Sequence, residues 1–261
     1  MTGPEAYDLV VSTLRAAGCV FAEDEATLII EAAEGRAEIR AMVEQRVAGL
    51  PLEVIVGWAE FCGLRIVVEA GVFVPRRRTE VLVREAVALA RPGVVVVDLC
   101  CGTGAVGVAI HAAARGVELH ASDIEAAAVR CARRNVEPVG GYVHEGDLFG
   151  ALPASLRGRI DLLVVNAPYV PTDAIALMPP EARDHEPAVT LDGGADGLDV
   201  QRRVAAEAAE WLAPGGHLLI ETSREQASRT AEAFIVGGLT AEIRRAEDVD
   251  GTVVVGGFPQ P

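Results

Sequence analysis

From residue 79 onward, apolar segments of strand length alternate with amphipathic segments of helix length, and this alternation constrains the fold more than any other feature. GVVVVDLC and RIDLLVVN predict buried strands, whereas TGAVGVAIHAAAR and LDVQRRVAAEAAEWL predict helices. Helices between buried strands imply right-handed crossovers and a parallel sheet with helices on both faces. The last two strands, AEIRRAE and GTVVVGG, are too close for a helical crossover, so we expect one to run antiparallel at the end of the sheet.

The N-terminal part has a different pattern. Three segments predict short helices, EAYDLVVSTLRAAG, EDEATLIIEAAEG and RAEIRAMVEQRVAG. Each ends at a glycine, the usual stop signal of a helix: Gly18, Gly35 and Gly49. The next stretch, VIVGWAEFCGLRIVVEAGVFV, is β-rich with glycines as punctuation. We therefore expect a helical domain at residues 1–50, a β-hairpin linker at 51–74 and an α/β domain at 75–261.

The composition argues against several classes of function. A formal net charge of −15 disfavours a nucleic-acid partner, because polyanions are held by clustered Lys and Arg and the clearest basic cluster is only Arg76–Arg78. No apolar run reaches the roughly 18 to 20 residues of a membrane span. The five cysteines form no CxxC pair, which indicates reduced thiols and no metal site. We expect a cytoplasmic protein with no membrane association, and a monomer, although no motif decides the oligomeric state.

A glycine-rich loop, DLCCGTGAVG, joins a predicted strand to a predicted helix. Glycine permits a tight turn and close approach of a ligand to the backbone, while the helix N-terminus offers free N–H groups. Gly102, Gly104 and Gly107 fit GxGxxG, and Asp123 follows at about the 20 residues expected of an acid that binds ribose hydroxyls. A dinucleotide-dependent oxidoreductase is therefore one hypothesis, and a packing turn without a ligand is another.

S-adenosylmethionine binds at the same position of such a sheet, where the glycine loop makes room for its methionine part. Asp98, at the end of the first strand, is then placed to meet the ligand's ammonium, and Asp123 to hold its ribose hydroxyls. Asp147, after the following strand, is placed to accept a hydrogen bond from the adenine amino group. Each carboxylate alone could be a strand-end cap, but all three fall at carboxyl ends of successive strands, the edge where parallel sheets bind ligands.

The strand DLLVV ends in Asn166-Ala167-Pro168-Tyr169, which groups an amide, a rigid turn and an aromatic ring. Methyl transfer from a sulfonium needs the acceptor's lone pair to point at the methyl, yet the nitrogen of an amide or a base amine has a delocalised lone pair. Hydrogen bonds from both of its N–H groups would orient such a nitrogen, and Asn166 and a following backbone carbonyl are the predicted acceptors. Tyr169 is expected to stack on the planar group, and Pro168 to hold the turn.

NAPY resembles the NPPY motif of amino-methyltransferases that modify glutamine amides or adenine amino groups. The wider chain resembles the HemK-type protein-(glutamine-N5) methyltransferases that modify release factors. The similar segments follow the family's order and spacing: GLPLEVIVGWAEFCGL, VFVPRRRTEVLV, DLCCGTGAVGVAI, ASDIEAAAVRCARRN, GDLF, NAPYVP, HEPAVTLDGGADGLD and LAPGGHLLIETSREQ. The resemblance implies a Rossmann-like class I S-adenosylmethionine-dependent methyltransferase fold, S-adenosylmethionine as cofactor, a release factor as substrate, and an N-terminal helical domain that helps to recognise it.

The resemblance also implies roles for the residues that match the family's motifs. The cofactor-binding residues that it implies are Asp98, Cys100, Gly102, Gly104, Asp123, Ile124, Asp147, Leu148 and Asn166. The substrate-binding residues that it implies are Arg76, Thr79, Glu80, Asn166, Ala167, Pro168, Tyr169, Glu186 and Pro187. Asn166, Pro168 and Tyr169 form the expected catalytic group.

The chain departs from the family pattern in three motifs. Cys100 stands where the family's first loop glycine is found, and Ala167 replaces the first proline of NPPY. Arg77 and Arg78 replace a proline and usually an acid in PRPxTE. These departures bear on the substrate more than on the reaction. An adenine-N6 methyltransferase of DNA or RNA stays an alternative, although the acidic charge disfavours it, and so does a non-catalytic binding module on the same fold.

Overall fold

Four helices lead into the α/β part of the chain in the computed structural model, which describes residues 4–178, 183 and 185–258. Their bounds are α1 (Pro4–Ala16), α2 (Ala22–Ala32), α3 (Arg36–Val47) and α4 (Leu52–Val56). Apolar side chains of the first three helices, among them Leu14, Ile29 and Val43, form one hydrophobic cluster. The three predicted helices are therefore confirmed over the described residues, and residues 1–3 of the expected N-terminal domain lie outside that part.

A largely buried ion pair joins two of these helices. The Arg46 guanidinium on α3 lies 2.6 Å from the Glu25 carboxylate on α2, measured from Nε to Oε2. Arg46 also donates to the Leu50 carbonyl, which follows α3. Because buried charges are costly unless they are paired and hydrogen-bonded, these contacts make α3 and its C-terminal turn depend on α2.

Helix α4 corrects the expectation that the β-rich stretch begins at Val54. The β-branched residues at 54–56 favour a strand, but the Val54 and Ile55 amides donate to the Pro51 carbonyl and close a helical turn. The helix ends at Gly57, whose φ of +79° is a conformation that glycine adopts without strain. The division of the chain into domains at residues 50 and 74 stays a prediction.

The hairpin follows directly as β1 (Trp58–Phe61) and β2 (Leu64–Val67), which pair antiparallel. Cys62 and Gly63 join them, both at positive φ, as a type I′ hairpin turn requires. Asn135 ties this hairpin to the α/β part. Its side chain accepts the Val67 N–H at 2.9 Å and donates to the Val67 and Thr103 carbonyls, so it connects β2 with the glycine loop.

The main sheet has seven strands within the described residues. They are β3 (Val95–Leu99), β4 (Glu118–Asp123), β5 (Tyr142–Glu145), β6 (Ile160–Val165), β7 (Leu212–Glu221), β8 (Glu242–Ala246) and β9 (Gly251–Gly257). Their order is β5-β4-β3-β6-β7-β9-β8. Strands β3 to β7 are parallel, while β9 runs antiparallel between β7 and β8. The predicted antiparallel strand at the end of the chain is thus confirmed.

Helices cover both faces of this sheet. They are α5 (Glu80–Leu89), α6 (Ala105–Ala113), α7 (Ala126–Val136), α8 (Asp199–Trp211) and α9 (Ala227–Val236). Alternate strand residues separate two cores: Val96 and Val164 pack with α5, α6 and α7, whereas Val97 and Val165 pack with α8 and α9. The strands read as continuous apolar runs because both of their faces are buried.

Two further features of the described part concern the long connection after β6 and the lengths of the helices. The long connection at residues 170–196 contains short 3₁₀ turns at Thr172–Leu177 and Ala188–Thr190, and its residues 179–182 and 184 lie outside the described part. Among the helices described, none has the length and the apolar character needed to cross a membrane.

Candidate active site

A cavity of about 700 Å³ opens at the carboxyl ends of the parallel strands. Its walls come from the glycine loop after β3, from the ends of β4 and β5, and from the loop Asn166–Tyr169 after β6. The 3₁₀ turn Arg77–Thr79, which precedes α5, contributes a further wall. This is the edge at which open parallel sheets bind ligands, and residues from both predicted groups line the same space.

The three loop glycines have different reasons to be glycine. A Cβ added at Gly102 would meet nothing closer than 3.9 Å, so this residue leaves backbone open to a ligand at the cavity wall. A Cβ at Gly104 would lie 2.7 Å from a Val136 methyl on α7. A Cβ at Gly107 would lie 2.8 Å from Leu119 on β4. Gly104 and Gly107 therefore permit close packing of the loop and α6, and Gly104 lies outside the described cavity lining.

Cys100 begins this loop in a left-handed conformation. Its φ of +58° explains why a glycine suits the position, since a side chain there strains the backbone. Cys100 lines the cavity, and burial raises the pKa of its thiol. A thiol that resists deprotonation is a poor nucleophile, so Cys100 acts here as a small apolar surface.

Asp98 lies near the end of β3, and only 2% of its surface is exposed. Its Oδ2 accepts the Gly107 N–H at 2.8 Å. Burial raises the pKa of Asp98 to about 8; the Gly107 hydrogen bond opposes this rise and the nearby Asp123 charge adds to it. Because a cation stabilises the charged form of such a carboxylate, Asp98 favours a positively charged ligand group.

Asp123, the last residue of β4, also serves as a strand-end cap. Its Oδ2 accepts the Gly102 N–H at 2.9 Å, and its Oδ1 accepts the Glu125 N–H at 3.0 Å. Each carboxylate oxygen has a further lone pair, so these bonds leave capacity for a ligand hydroxyl. The neighbouring Ser122 also lines the cavity, and its buried Oγ has no hydrogen-bond partner in the described part of the chain.

Beyond β5, the cavity has a mixed polar and aliphatic wall. Asp147 pairs with Arg203 of α8, with 2.6 Å between Oδ2 and Nη2, and both side chains are about half exposed. Leu148 turns the chain at a φ of +47°. Ile124 lines the same wall and remains 53% exposed. An exposed aliphatic side chain beside a free carboxylate oxygen suits a flat ring with an amino group.

Asn166 stands at the tip of β6. Its Nδ2 donates to Thr79 Oγ1 over 3.4 Å, so the amide oxygen is left for other donors. Thr79 is itself buried, with 2% of its surface exposed, at the end of the 3₁₀ turn that precedes α5. The contact therefore links the β6 loop to the PRRRTE segment in the cavity wall.

Tyr169 is held at both its ring and its backbone. The phenol donates to Glu221 Oε1 over 3.4 Å, and the carbonyl accepts Gln226 Nε2 at 2.9 Å. A Cβ at Gly197 would lie 2.3 Å from that carbonyl, so glycine is required there. Burial raises the pKa of the Tyr169 phenol, and the Glu221 charge adds to the rise. The phenol thus stays protonated and remains a donor.

Arg76 and Glu186 pair at the wall of the cavity. Arg76 Nη2 lies 2.5 Å from Glu186 Oε1, and the Val74 N–H approaches the same oxygen at 3.5 Å. The Glu186 side chain is only 2% exposed, and its Oε2 has no hydrogen-bond partner among the described residues. Burial raises the pKa of Glu186, while the Arg76 charge opposes the rise. Arg76 therefore fixes the buried Glu186 carboxylate at the cavity wall.

The cavity brings together most, but not all, of the predicted site residues. Those that line it are Arg76, Thr79, Asp98, Cys100, Gly102, Asp123, Ile124, Asp147, Leu148, Asn166, Ala167, Pro168, Tyr169 and Glu186. Glu80 instead begins α5, and the Pro187 carbonyl accepts the Thr190 N–H and hydroxyl. With Gly104, they lie outside the described lining, so direct ligand contacts by these three stay predictions.

Several lining residues were not predicted: Phe61, Phe73, Arg78, Ser122 and Arg203. Phe73 and Arg78 lie in the quoted segment VFVPRRRTEVLV, which offered a signal for them. Arg203 lies within a helix remote in sequence from Asp147, and no local pattern marks it. Glu221 and Gln226, which hold Tyr169, occur in LIETSREQ and were likewise not singled out.

The residues of this cavity fit S-adenosylmethionine. Its volume lies within the roughly 300 to 1,000 Å³ of small-molecule sites. The buried Asp98 carboxylate suits the ligand's ammonium, and Gly102 leaves the backbone open. A mostly parallel seven-stranded sheet with this cavity at the carboxyl ends of its strands defines a class I S-adenosylmethionine-dependent methyltransferase, as predicted.

Comparisons with known proteins agree with this class. Residues 63–178 match the family model described as the methyltransferase small domain. The chain is 39% identical over 232 residues to the release factor glutamine methyltransferase of Geobacter sulfurreducens, covering 86% of this chain and 78% of that protein. It is 37% identical over 203 residues to the 4-amino-L-phenylalanine/4-methylamino-L-phenylalanine methyltransferase of Streptomyces pristinaespiralis, covering 75% and 69%.

A solved structure supports the fold alone. The methyltransferase from Pyrococcus furiosus aligns with 86% of this chain and 100% of its own, at a TM-score of 0.58 and 16% identity. Given the sequence relatives, the chain belongs to the release factor glutamine methyltransferase family. It is therefore an S-adenosylmethionine-dependent methyltransferase, and the hypotheses of an oxidoreductase and of a non-catalytic module are set aside.

Proposed function

We propose that this protein transfers the methyl group of S-adenosylmethionine to the side-chain amide nitrogen of a glutamine in a peptide chain release factor, within its glycine-glycine-glutamine loop. The observation that carries the proposal is the position of Asn166. Its side chain lines the same cavity as Asp98 and Gly102, with its Nδ2 engaged by Thr79 and its oxygen left to accept. The related protein from Geobacter sulfurreducens, named a release factor glutamine methyltransferase, supports the choice of acceptor.

Two hydrogen-bond acceptors would orient the glutamine amide. The Asn166 oxygen accepts one N–H, and a backbone carbonyl of the loop accepts the other. The Tyr169 carbonyl already accepts from Gln226, so the Ala167 carbonyl is the better candidate for the second bond. Together they turn the nitrogen lone pair toward the methyl and favour its pyramidal geometry. Because any residue supplies this carbonyl, Ala167 can replace the proline of NPPY.

Tyr169 and Pro168 complete the acceptor side. The Tyr169 ring stacks on the planar amide and excludes water, and its phenol is held by Glu221 in a fixed orientation. Pro168 restricts the turn between the two acceptor groups. No general base is needed, since the amide proton can leave after the methyl has been transferred. The substrate role of Glu186 that the family resemblance implies is supported by its position in the cavity wall.

The cofactor supplies an electrophilic methyl group on a sulfonium. Asp98 would hold its ammonium, Asp123 its ribose hydroxyls, and Asp147 its adenine amino group. Ile124 and Leu148 would cover the two faces of the adenine ring, and Cys100 would line the methionine part. We assign these roles because the residues line one cavity.

The partner is a protein, and we propose that the helices within residues 1–50 contribute to its recognition. Release factors act during translation, so the cytoplasm is the proposed compartment. The net charge of −15 disfavours a nucleic-acid substrate, because polyanions are held by clustered Lys and Arg and the clearest such cluster in the sequence is Arg76–Arg78.

Transfer of a tritiated methyl group tests the acceptor. Release factor incubated with the enzyme and labelled cofactor should gain label, and the variant with Ala in place of the loop glutamine should not. DNA and 4-amino-L-phenylalanine are tested in parallel as acceptors, the latter because a relative is named for that substrate. Label in DNA or in the free amino acid, with none in the release factor, would replace the proposed acceptor.

Substitution of Asn166 tests the division between binding and transfer. Asn166→Ala should abolish transfer while the affinity for S-adenosylhomocysteine changes by a few-fold at most, because Asp98 and the glycine loop remain. Titration calorimetry measures the affinity. Loss of cofactor binding together with transfer would show that the assigned roles are wrong.

A further inference from the structure

Gln226 lies directly before α9 and contacts the loop Asn166–Tyr169 from outside the described cavity lining. Only 7% of its surface is exposed. Its Nε2 donates to the Tyr169 carbonyl at 2.9 Å and to the Asp196 carbonyl at 3.0 Å. Both N–H groups of the amide are therefore used, and one buried side chain joins the residue before the long connection at 170–196 to the last residue of that connection.

The orientation of the Gln226 amide follows from its neighbours. The Ser223 hydroxyl donates to Gln226 Oε1 at 2.8 Å. The reverse orientation would place Oε1 against the Tyr169 and Asp196 carbonyl oxygens, neither of which can donate a hydrogen bond. Because a buried polar group without a partner is costly, the NH₂ group must face the two carbonyls.

The backbone around Tyr169 is built for this contact. Gly197 has a φ of +76°, and a Cβ there would lie 2.3 Å from both Gln226 Nε2 and the Tyr169 carbonyl oxygen. A side chain at this position would have to displace one of the two partners. The Val170 N–H donates to the Leu191 carbonyl at 3.0 Å. The peptide between Tyr169 and Val170 is thus held at both its carbonyl and its N–H, and it cannot turn over without breaking hydrogen bonds.

This peptide fixes the direction in which the Tyr169 side chain leaves the backbone. The Tyr169 phenol is held separately by Glu221 over 3.4 Å, and the side chain lines the cavity together with Asn166. We propose that Gln226 is a positioning residue for methyl transfer: its amide holds the Tyr169–Val170 peptide and thereby keeps the Tyr169 ring against the acceptor amide. The proposal rests on the proposed function only in taking Tyr169 as a contact of the acceptor.

Gln226→Met removes both hydrogen bonds and keeps the length of the side chain. The Tyr169 carbonyl is then released, and the ring moves with its backbone. Because a displacement of about 1 Å from the productive geometry can cost about 100-fold in rate, we expect kcat to fall by about 10- to 100-fold. The KM for the release factor and the affinity for S-adenosylhomocysteine should change by a few-fold at most, since Asp98, Gly102 and Asn166 are unchanged.

Two further variants separate positioning from stability. Gln201 is a second buried glutamine, on α8, and its Oε1 accepts the Thr230 hydroxyl at 2.7 Å. Gln201→Met should therefore leave kcat unchanged. Ser223→Ala removes the hydroxyl that orients the Gln226 amide and should lower kcat less than Gln226→Met does. Because this change is milder, it carries the test even if Gln226→Met proves unstable. An unchanged kcat in both Gln226→Met and Ser223→Ala would overturn the proposal, and so would losses that follow the melting temperature across the three variants.

A second readout requires no turnover. The chain contains three tyrosines, so protein labelled with 3-fluorotyrosine gives three fluorine signals, and that of Tyr169 is the one absent in Tyr169→Phe. With neither cofactor nor acceptor present, this signal should shift or broaden in Gln226→Met, by less in Ser223→Ala, and not in Gln201→Met. An unchanged signal in Gln226→Met would refute the positioning role. If the wild type labels no release factor, the proposed function fails, while the fluorine spectra still decide whether Gln226 holds Tyr169.

Discussion

The raised pKa of Asp98 predicts that cofactor binding depends strongly on pH. Burial raises the pKa to about 8 in the protein without a cation. If the ligand's ammonium binds the ionised form, the apparent affinity scales with the ionised fraction, which is about one half near pH 8 and about 1% near pH 6. Binding should therefore weaken by about 50-fold, or about 2 kcal/mol, between those values.

Titration calorimetry with S-adenosylhomocysteine over this range measures the effect, and Asp98→Asn is the matched control. That variant should bind weakly at every pH and lose the steep dependence. A flat affinity in the wild type would refute the reasoning, and so would a dependence that persists in Asp98→Asn. In the second case another group, such as Asp123, would be responsible.

The same shift affects stability without ligand. Because the folded-state pKa exceeds the unfolded value, the folded state binds this proton more tightly, and the contribution of Asp98 becomes less favourable as pH rises from about 4 toward about 8. Asp98→Asn should therefore raise the melting temperature near pH 8 and not near pH 4. A stabilisation that is equal at both pH values would contradict the assigned shift.

Other predictions concern the glycine loop. Cys100→Gly should stabilise the protein by up to about 1 kcal/mol in denaturant titrations, because it relieves a positive φ; destabilisation would mean that the buried thiol packs more favourably than the strain costs. Gly102→Ala should weaken S-adenosylhomocysteine binding, because Gly102 lines the cavity, and should cost about 1 kcal/mol of stability, because its φ is positive. Gly104→Ala should instead cost about 1 to 3 kcal/mol of stability, because its Cβ would lie 2.7 Å from a methyl group on α7. Equal effects of the two alanines on binding and stability would contradict the division between them.

The sheet was predictable because its strands are apolar on both faces and are separated by helices. The strand predicted at residues 54–56 was wrong. The β-branched residues there favour a strand, but the Pro51 carbonyl and Gly57 define a helical turn. Propensity is a weak guide where local capping and packing against α2 and α3 favour the other state.

Site residues could be predicted from the sequence where they lie at the carboxyl ends of parallel strands. Asp98 and Asn166 could be placed on one edge because parallel strands share it. The residues that support the site could not be predicted, since each of them contacts a residue far away in the sequence. Asn135 contacts Val67 over a separation of 68 residues, and Glu221 contacts Tyr169 over 52. Such contacts depend on the packing of elements, which no local pattern encodes.

A crystal structure with bound S-adenosylhomocysteine tests the central claim most directly. We predict that its sulfur points toward the loop Asn166–Tyr169, with the Asn166 amide oxygen within about 8 Å, the sum of a sulfur–methyl bond, a near-attack distance and a hydrogen bond. The Tyr169 ring should face the space between them. An Asn166 side chain buried away from the sulfur, or a ligand bound outside the cavity, would contradict the account.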